Sequence, residues 1–295
     1  MFLLLVRHGE STDNVANLYA GSRDAPLTNH GVLQAKRLAD HLVFSPASKK
    51  FRRITHIFTS NLQRAYKTAE AVADAQAGST SASAGAPYVA DVVQLPELRE
   101  KDFGSSEGKK FGTKSTAAAH EAAESDVEAP AAMMARVNRF IDVHLHPLFM
   151  CHASNDDTIL VVAHGIILNY LFRALHTKFP APATLTETHA TWSNTGVLLA
   201  KIKAHKSHGG RDTQNEDLTL SQPSNPRNAP ESLPPPPRKF SFLVGSINNV
   251  DHLKGLKKTR GGVGSAQFDP RQRSMDAFFK PTAKKRKAEA EAERD

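Results

Sequence analysis

The chain of 295 residues has one cysteine, Cys151, and one tryptophan, Trp192. A single cysteine excludes an intrachain disulfide and a cysteine-rich structural zinc site, and it fits a reducing compartment. Long apolar runs are also missing. The N-terminal segment 1–6 is apolar but meets Arg7 and His8 at once, too early for a membrane span or for the apolar part of a secretory signal. It reads as a buried strand, and no membrane association is expected. Candidate metal ligands are equally sparse. His144, His146 and His152 come closest to a cluster, but their spacing matches no standard zinc pattern. A structural or surface role is expected for them, with no metal and no other cofactor.

The net charge of +8 is unevenly placed. From Lys254 onward there are twelve Lys and Arg against six Asp and Glu, so the last 42 residues carry +6 and the rest only +2. A nearly balanced core argues against direct DNA binding by that core, and a basic tail suggests an address or a docking arm.

What is present is an alternation of short apolar runs and helical periods. Residues 2–6 precede a helical pattern over 31–44 through Val32, Ala35, Leu38, Ala39 and Leu42, with Thr28 as its cap. The pattern recurs at 54–59, followed by Ser60 as an N-cap and a helix over about 62–77. It returns at 88–95, and at 158–163 before a helix over 166–176. Such alternation implies a largely parallel sheet covered on both faces. Residues 78–86 read as a flexible loop, and the Ala-rich stretch 109–132 reads as a mobile helical lid. A strand at 197–202 is expected to pair with one carrying Phe240, Phe242 and Val244. Residues 204–238, ending in four prolines, then form a disordered insertion inside the last hairpin, tolerated because loop closure costs grow only logarithmically. The core domain is expected to span 1–253, with a disordered basic tail over 254–295.

The chemistry sits at two strand ends. Leu3-Leu4-Leu5-Val6-Arg7-His8-Gly9 and Leu160-Val161-Val162-Ala163-His164-Gly165 both close on His-Gly. In a parallel sheet the carboxyl ends of the strands share one edge, where ligands bind, so both histidines can meet in one pocket. A phosphomonoester repels anionic nucleophiles, whereas a neutral imidazole can attack phosphorus and form a phosphohistidine. Arg7 adds a planar fork of donors matched to phosphate, and Arg64, in the first turn after Ser60, supplies a second.

These residues belong to a longer ordered series. Arg7-His8-Gly9-Glu10-Ser11 with Asn14, the stretch Tyr19-Ala20-Gly21-Ser22-Arg23-Asp24-Ala25-Pro26-Leu27-Thr28 with Gly31 and Gln34-Ala35, then Ser60-x-Leu62-x-Arg64-Ala65-x-x-Thr68, Leu98-Arg99-Glu100-x-x-x-Gly104 and Ala163-His164-Gly165 resemble the histidine phosphatase, or phosphoglycerate mutase-like, superfamily. The resemblance covers about residues 1–203, and the Ile247-Asn248 to His252-Leu253 ending is similar to the family's last strand. It implies a three-layer α/β/α sandwich with a mostly parallel central sheet. It also implies His8 as the phosphorylated nucleophile, with Arg7, Arg64 and His164 forming the phosphate pocket. Asn14 would support that pocket, Gly21 would offer backbone at its rim, and Glu100 would be the proton donor, with Glu97 and Asp102 as competitors. Two features depart from the family. Ser105-Ser106-Glu107-Gly108 stands where many members carry a Trp before Glu-Gly, and the stretch from Gly108 to His164 is shorter than in true mutases. A mutase must shield phosphohistidine from water, so a short lid favours hydrolysis; mutase-type phosphotransfer is the alternative, and a binding module with little catalysis a third.

The tail carries a second motif. Gln272-Arg273-Ser274-Met275-Asp276-Ala277-Phe278-Phe279 resembles the PIP box, the peptide by which replication and repair proteins dock on the PCNA sliding clamp. One 3-10 turn would gather Met275, Phe278 and Phe279 into a plug, with Gln272 as a hydrogen-bonding anchor. The run Lys284-Lys285-Arg286-Lys287 follows, compatible with a nuclear location.

Overall fold

The computed structural model describes residues 1–44, 53–80, 90–112, 126–152, 157–181, 189–205 and 239–271. Its centre is a six-stranded sheet built from β1 (Phe2–Arg7), β2 (Ile54–Ser60), β3 (Val92–Leu95), β4 (Thr158–Ala163), β5 (Val197–Ala204) and β6 (Phe240–Asn249), in the order β3-β2-β4-β1-β5-β6. The first four strands are mutually parallel, and β5 and β6 add an antiparallel edge. Alternate residues of each central strand serve opposite faces, as a pleat requires. Leu3 and Leu5 of β1 join one core cluster and Leu4 and Val6 the other. All six residues of β4 are buried, which explains why that strand is an unbroken apolar run with no alternation.

One face is covered by α2 (Asn29–Phe44) and α3 (Gln63–Thr80), which follow the short α1 (Thr12–Ala16). The other carries α4 (Pro130–Phe140), α5 (His146–His152) and α6 (Gly165–Lys178). The architecture is therefore the three-layer sandwich expected. Thr28 caps α2 as expected, its Oγ1 accepting the Gly31 N–H at 3.0 Å. Ser60 is not the N-cap expected of α3: it ends β2, the helix starts at Gln63, and the Ser60 Oγ accepts the Leu62 N–H at 3.2 Å in the turn between them.

Three further expectations need correction. The edge strand β3 spans only Val92–Leu95, not 88–95; residues 88 and 89 lie outside the described part. Of the expected lid 109–132, residues 113–125 lie outside the described residues, and the remainder is not lid-like. Residues 130–152 form one helical rod with a single π turn at Ile141–Leu145, whose Met133, Val137, Phe140, Ile141, Leu145 and Phe149 are wholly buried. Each such side chain contributes roughly 1.5–3 kcal/mol of burial. Finally, the chain does not leave the domain at 254. Residues 254–271 lie along the entry to α2: Asn29 donates its N–H to Ala266 and its amide to Val263, Phe268 donates its N–H to Leu27, and Lys258 pairs with Glu10 at 2.8 Å. Of the expected insertion, residues 206–238 lie outside the described part, as do residues 81–86 of the expected loop.

Candidate active site

Sheet register brings the two histidines together. Strands β1 and β4 are parallel neighbours with Arg7 opposite Ala163, so the residues that follow, His8 and His164, leave the sheet edge side by side. Their rings stand 5.0 Å apart at 60° and are 3% and 1% exposed. The backbone there is held from both sides. His8 donates its N–H to Ala163 at 3.0 Å, while the Thr195 N–H binds the Arg7 carbonyl at 2.9 Å and the Asn194 amide binds the His8 carbonyl at 3.0 Å. The turn after His8 is tight against α2, since a Cβ on Gly31 would meet the Glu10 carbonyl oxygen at 2.0 Å.

The His8 Nδ1 lies 2.6 Å from the Gly9 carbonyl. A carbonyl can only accept, so Nδ1 carries the proton and Nε2 keeps its lone pair. Burial, then the positive charges of Arg64 and Arg7, push His8 well below the ordinary histidine value, and burial with Arg64 does the same to His164. Both rings are neutral at pH 7, as a nucleophile requires.

The arginines are anchored on one edge and free on another. Arg64, 1% exposed, donates to the carbonyls of Gly21 at 2.8 Å and Arg23 at 2.5 Å. Burial lowers it to about 10, opposed by Glu100, Asp24 and Asp13, which leaves it charged near neutrality. Arg7 donates to the Trp192 carbonyl at 2.7 Å. Among the described residues, Arg7 Nε, Arg64 Nε and both ring nitrogens of His164 are buried without partners. Unsatisfied buried donors of this kind are costly. A tetrahedral oxyanion is the ligand that satisfies several at once.

Arg7, His8, Asn14, Gly21, Arg64, Glu100 and His164 all line one cavity of about 380 Å³. Glu100 is docked on the first turn of α6, where its carboxylate accepts the N–H groups of Ile166 at 3.0 Å and Ile167 at 3.1 Å, at the end of the helix that favours an acid. Its competitors are elsewhere: Asp102 accepts the Gly104 N–H, Glu97 faces Arg139 at 4.0 Å, and neither lines the cavity. Asn14 Oδ1 accepts from Ser11 N–H and from Asn194, each at 3.2 Å. Gly21 has φ of +47°, and a Cβ there would strike Glu107 Oε1 at 2.0 Å; its carbonyl orients Arg64, so its part is played by backbone.

Several residues that support the site were not foreseen. Arg136 donates to the carbonyls of Glu97 at 2.8 Å, Arg99 at 2.6 Å and Glu100 at 3.3 Å, while pairing with both carboxylate oxygens of Glu128. It fastens the loop that carries Glu100. Its apolar neighbours at helical spacing were the available signal, masked by the alanine content around them. Asn194 and Thr195 lie in a polar loop with no periodicity and gave no signal. Thr195 in turn accepts or donates at 2.9 Å with the buried His252. Of the histidines expected to be structural, His144 packs on Phe58 and His146 stacks on Phe179. The tail residues Gln272, Met275, Phe278 and Phe279 lie outside the described residues.

Comparison with known proteins agrees with this geometry. The model of the histidine phosphatase superfamily, branch 1, matches residues 3–208. A probable phosphatase of Schizosaccharomyces pombe is 28% identical over 93% of this chain and 78% of its own length. A 2,3-bisphosphoglycerate-dependent phosphoglycerate mutase of Brucella melitensis is 31% identical over 71% of this chain and 96% of its own. Among solved structures, mycobacterial hydrolase 1 superposes with a TM-score of 0.55 at 18% identity, over 84% of this chain and 98% of that one, a likeness of fold. With two neutral histidines at adjacent strand ends beneath two anchored arginines, and a family match across more than half of the chain, this protein belongs to the histidine phosphatase superfamily.

Proposed function

We propose that the protein is a phosphomonoester hydrolase. The observation that carries this reading is the set of buried, unpartnered donors on Arg7, Arg64 and His164 around a neutral His8. In the first step His8 Nε2 forms a bond to phosphorus as the ester P–O bond breaks, and Glu100 gives a proton to the departing oxygen. In the second, Glu100 takes a proton from water, the water oxygen bonds to phosphorus, and the N–P bond breaks to release phosphate. Arg7, Arg64 and His164 stabilise the charge on the equatorial oxygens throughout. Water as the final acceptor is supported by the short connection between Gly108 and His164 and by the similarity to a probable phosphatase.

The test is hydrolysis of a panel of phosphate esters with mass-spectrometric trapping of phosphohistidine. His8→Ala should abolish both turnover and the trapped adduct, and Glu100→Gln should lower kcat by about 10²–10⁴-fold. Phosphate release that persists in the His8 variant would overturn the reading. Faster phosphate transfer to a second phosphoglycerate than to water would instead support a mutase.

The tail supports a second element of the proposal, a tether to the PCNA sliding clamp in the nucleus through Gln272, Met275, Phe278 and Phe279, followed by the basic run 284–287. A peptide spanning 270–287 should bind the clamp, and the same peptide with Phe278→Ala and Phe279→Ala should not. Equal binding by the two would sink the tether.

A further inference from the structure

The phosphate end of the cavity is defined by charge, but its mouth is not. Among the described residues, the only lysine or arginine side chains that line the cavity are Arg7 and Arg64, and the only acid is Glu100. Lys101 lies over the Phe103 ring at 5.5 Å, and the exposed Lys109 and Lys110 are not part of the wall. A substrate with a carboxylate or a second phosphate beyond the ester oxygen would therefore find no lysine or arginine other than Arg7 and Arg64 among the described lining residues.

The mouth is instead aromatic. Phe103 and Phe111 line it, with Tyr19 packed between them at ring separations of 4.8 and 4.0 Å. Phe111 is 57% exposed, an expensive position for a phenyl ring in water. It is held there on purpose-built backbone. Tyr19 N–H donates to Lys109 at 3.0 Å, Gly108 N–H to Tyr19 at 2.9 Å and Phe111 N–H to Asn17 at 3.0 Å, a small antiparallel ladder that presents Phe111 to the cavity. Trp192 is a further aromatic wall, fixed by the hydrogen bond from its indole N–H to Asn169 at 3.1 Å.

We propose that the substrate is the phosphate monoester of an uncharged alcohol bearing a flat aromatic ring, which stacks on Phe111 while the phosphate sits between the two arginines. Burying the exposed phenyl face under a second ring removes apolar surface from water and adds the offset or edge contact that aromatic pairs favour. A leaving group with an anionic substituent would find no lysine or arginine to pair with it at the aromatic end, among the described lining residues. This assignment rests on the phosphomonoesterase reading.

The test uses esters whose leaving alcohols differ little in acidity, so that binding and not leaving-group chemistry sets the order: benzyl phosphate, cyclohexylmethyl phosphate, propyl phosphate and 3-phosphoglycerate. The full chain should turn over benzyl phosphate with a kcat/KM about tenfold above propyl phosphate, the order that one aromatic contact supplies. It should exceed 3-phosphoglycerate by about a hundredfold. Phe111→Ala should collapse the benzyl-to-propyl ratio towards one, mainly through KM, and Phe111→Trp should restore it. Equal rates for benzyl and cyclohexylmethyl phosphate, a ratio untouched by Phe111→Ala, or preference for 3-phosphoglycerate would each overturn the assignment. Absence of His8-dependent hydrolysis on every ester would instead overturn the phosphatase reading.

Discussion

A histidine that is to attack phosphorus must be neutral, and here neutrality is obtained by burial beside two guanidinium groups. The same physics makes the fold sensitive to acid. His8 and His164 are pushed well below the ordinary histidine value, and burial, with His41 adding to it, lowers His252 to about 4. The folded state therefore binds fewer protons than the unfolded state, whose histidines begin to charge below about pH 6.5. Stability from this source is complete above that value and falls as the pH drops towards the folded-state values. For His252 alone the loss at pH 5 is about 2 kcal/mol. Urea unfolding at pH 7.5 and pH 5 should show a marked decrease for the natural chain and a smaller one for His252→Gln; identical pH dependence would contradict the origin given. At this scale the sequence was unusually legible. His8, His164, Arg7 and Arg64 stand in short ordered motifs, and the reason is chemical: an oxyanion pocket needs rigid donors next to strand ends, which keeps them close in sequence to recognisable strands. Glu100 could be chosen over Glu97 and Asp102 only by resemblance, because three acids within six residues look alike until a helix N-terminus selects one.

Among elements, the decisive join is between α4 and the loop that ends at Glu100. Arg136 reaches across from α4, and the Glu128 side chain at the helix entrance completes the clamp. An arginine is required here because a single planar fork spans three carbonyls and a carboxylate. Arg136→Met should unlatch the loop and lower kcat by about 10²-fold through displacement of Glu100, with His8 phosphorylation still detectable from an activated ester that needs no proton donor. Arg136→Lys should recover only part of the loss. If the methionine variant slowed activated and unactivated esters alike, Arg136 would be merely structural. The start of the rod 130–152 was hidden because the Ala-rich stretch that leads into it blurs periodicity. The stripe Met133, Val137, Phe140, Ile141, Leu145 and Phe149 runs helically but shifts by one residue at the π turn, which breaks a strict 3.6 period. Strand β3 was overextended for the opposite reason, since an edge strand with partly exposed residues offers little pattern to mark where pairing stops.

For the molecule as a whole, the sheet order explains the position of the site. The crevice opens between β1 and β4, where chain connections diverge to opposite sides of the sheet. That much follows from strand alternation, but the fate of residues 254–271 does not. They contain few apolar residues and many charged or glycine residues, a composition that normally marks an unfolded tail. They are ordered by backbone hydrogen bonds to Leu27 and Asn29 and by the Lys258 pair with Glu10, interactions that leave no trace in hydrophobic pattern.

The ladder of residues 17–19 against 108–111 stands apart from the elements that hold the paired histidines and arginines. His8, Arg7, Arg64 and His164 hang on sheet register and on carbonyls deep in the domain, so a substitution there disturbs many partners. Phe111 hangs on a few surface hydrogen bonds. On the proposed reading, substitutions in that short ladder would change the leaving-group preference and leave phosphoryl transfer untouched, so substrate choice and reaction would be separable on this scaffold.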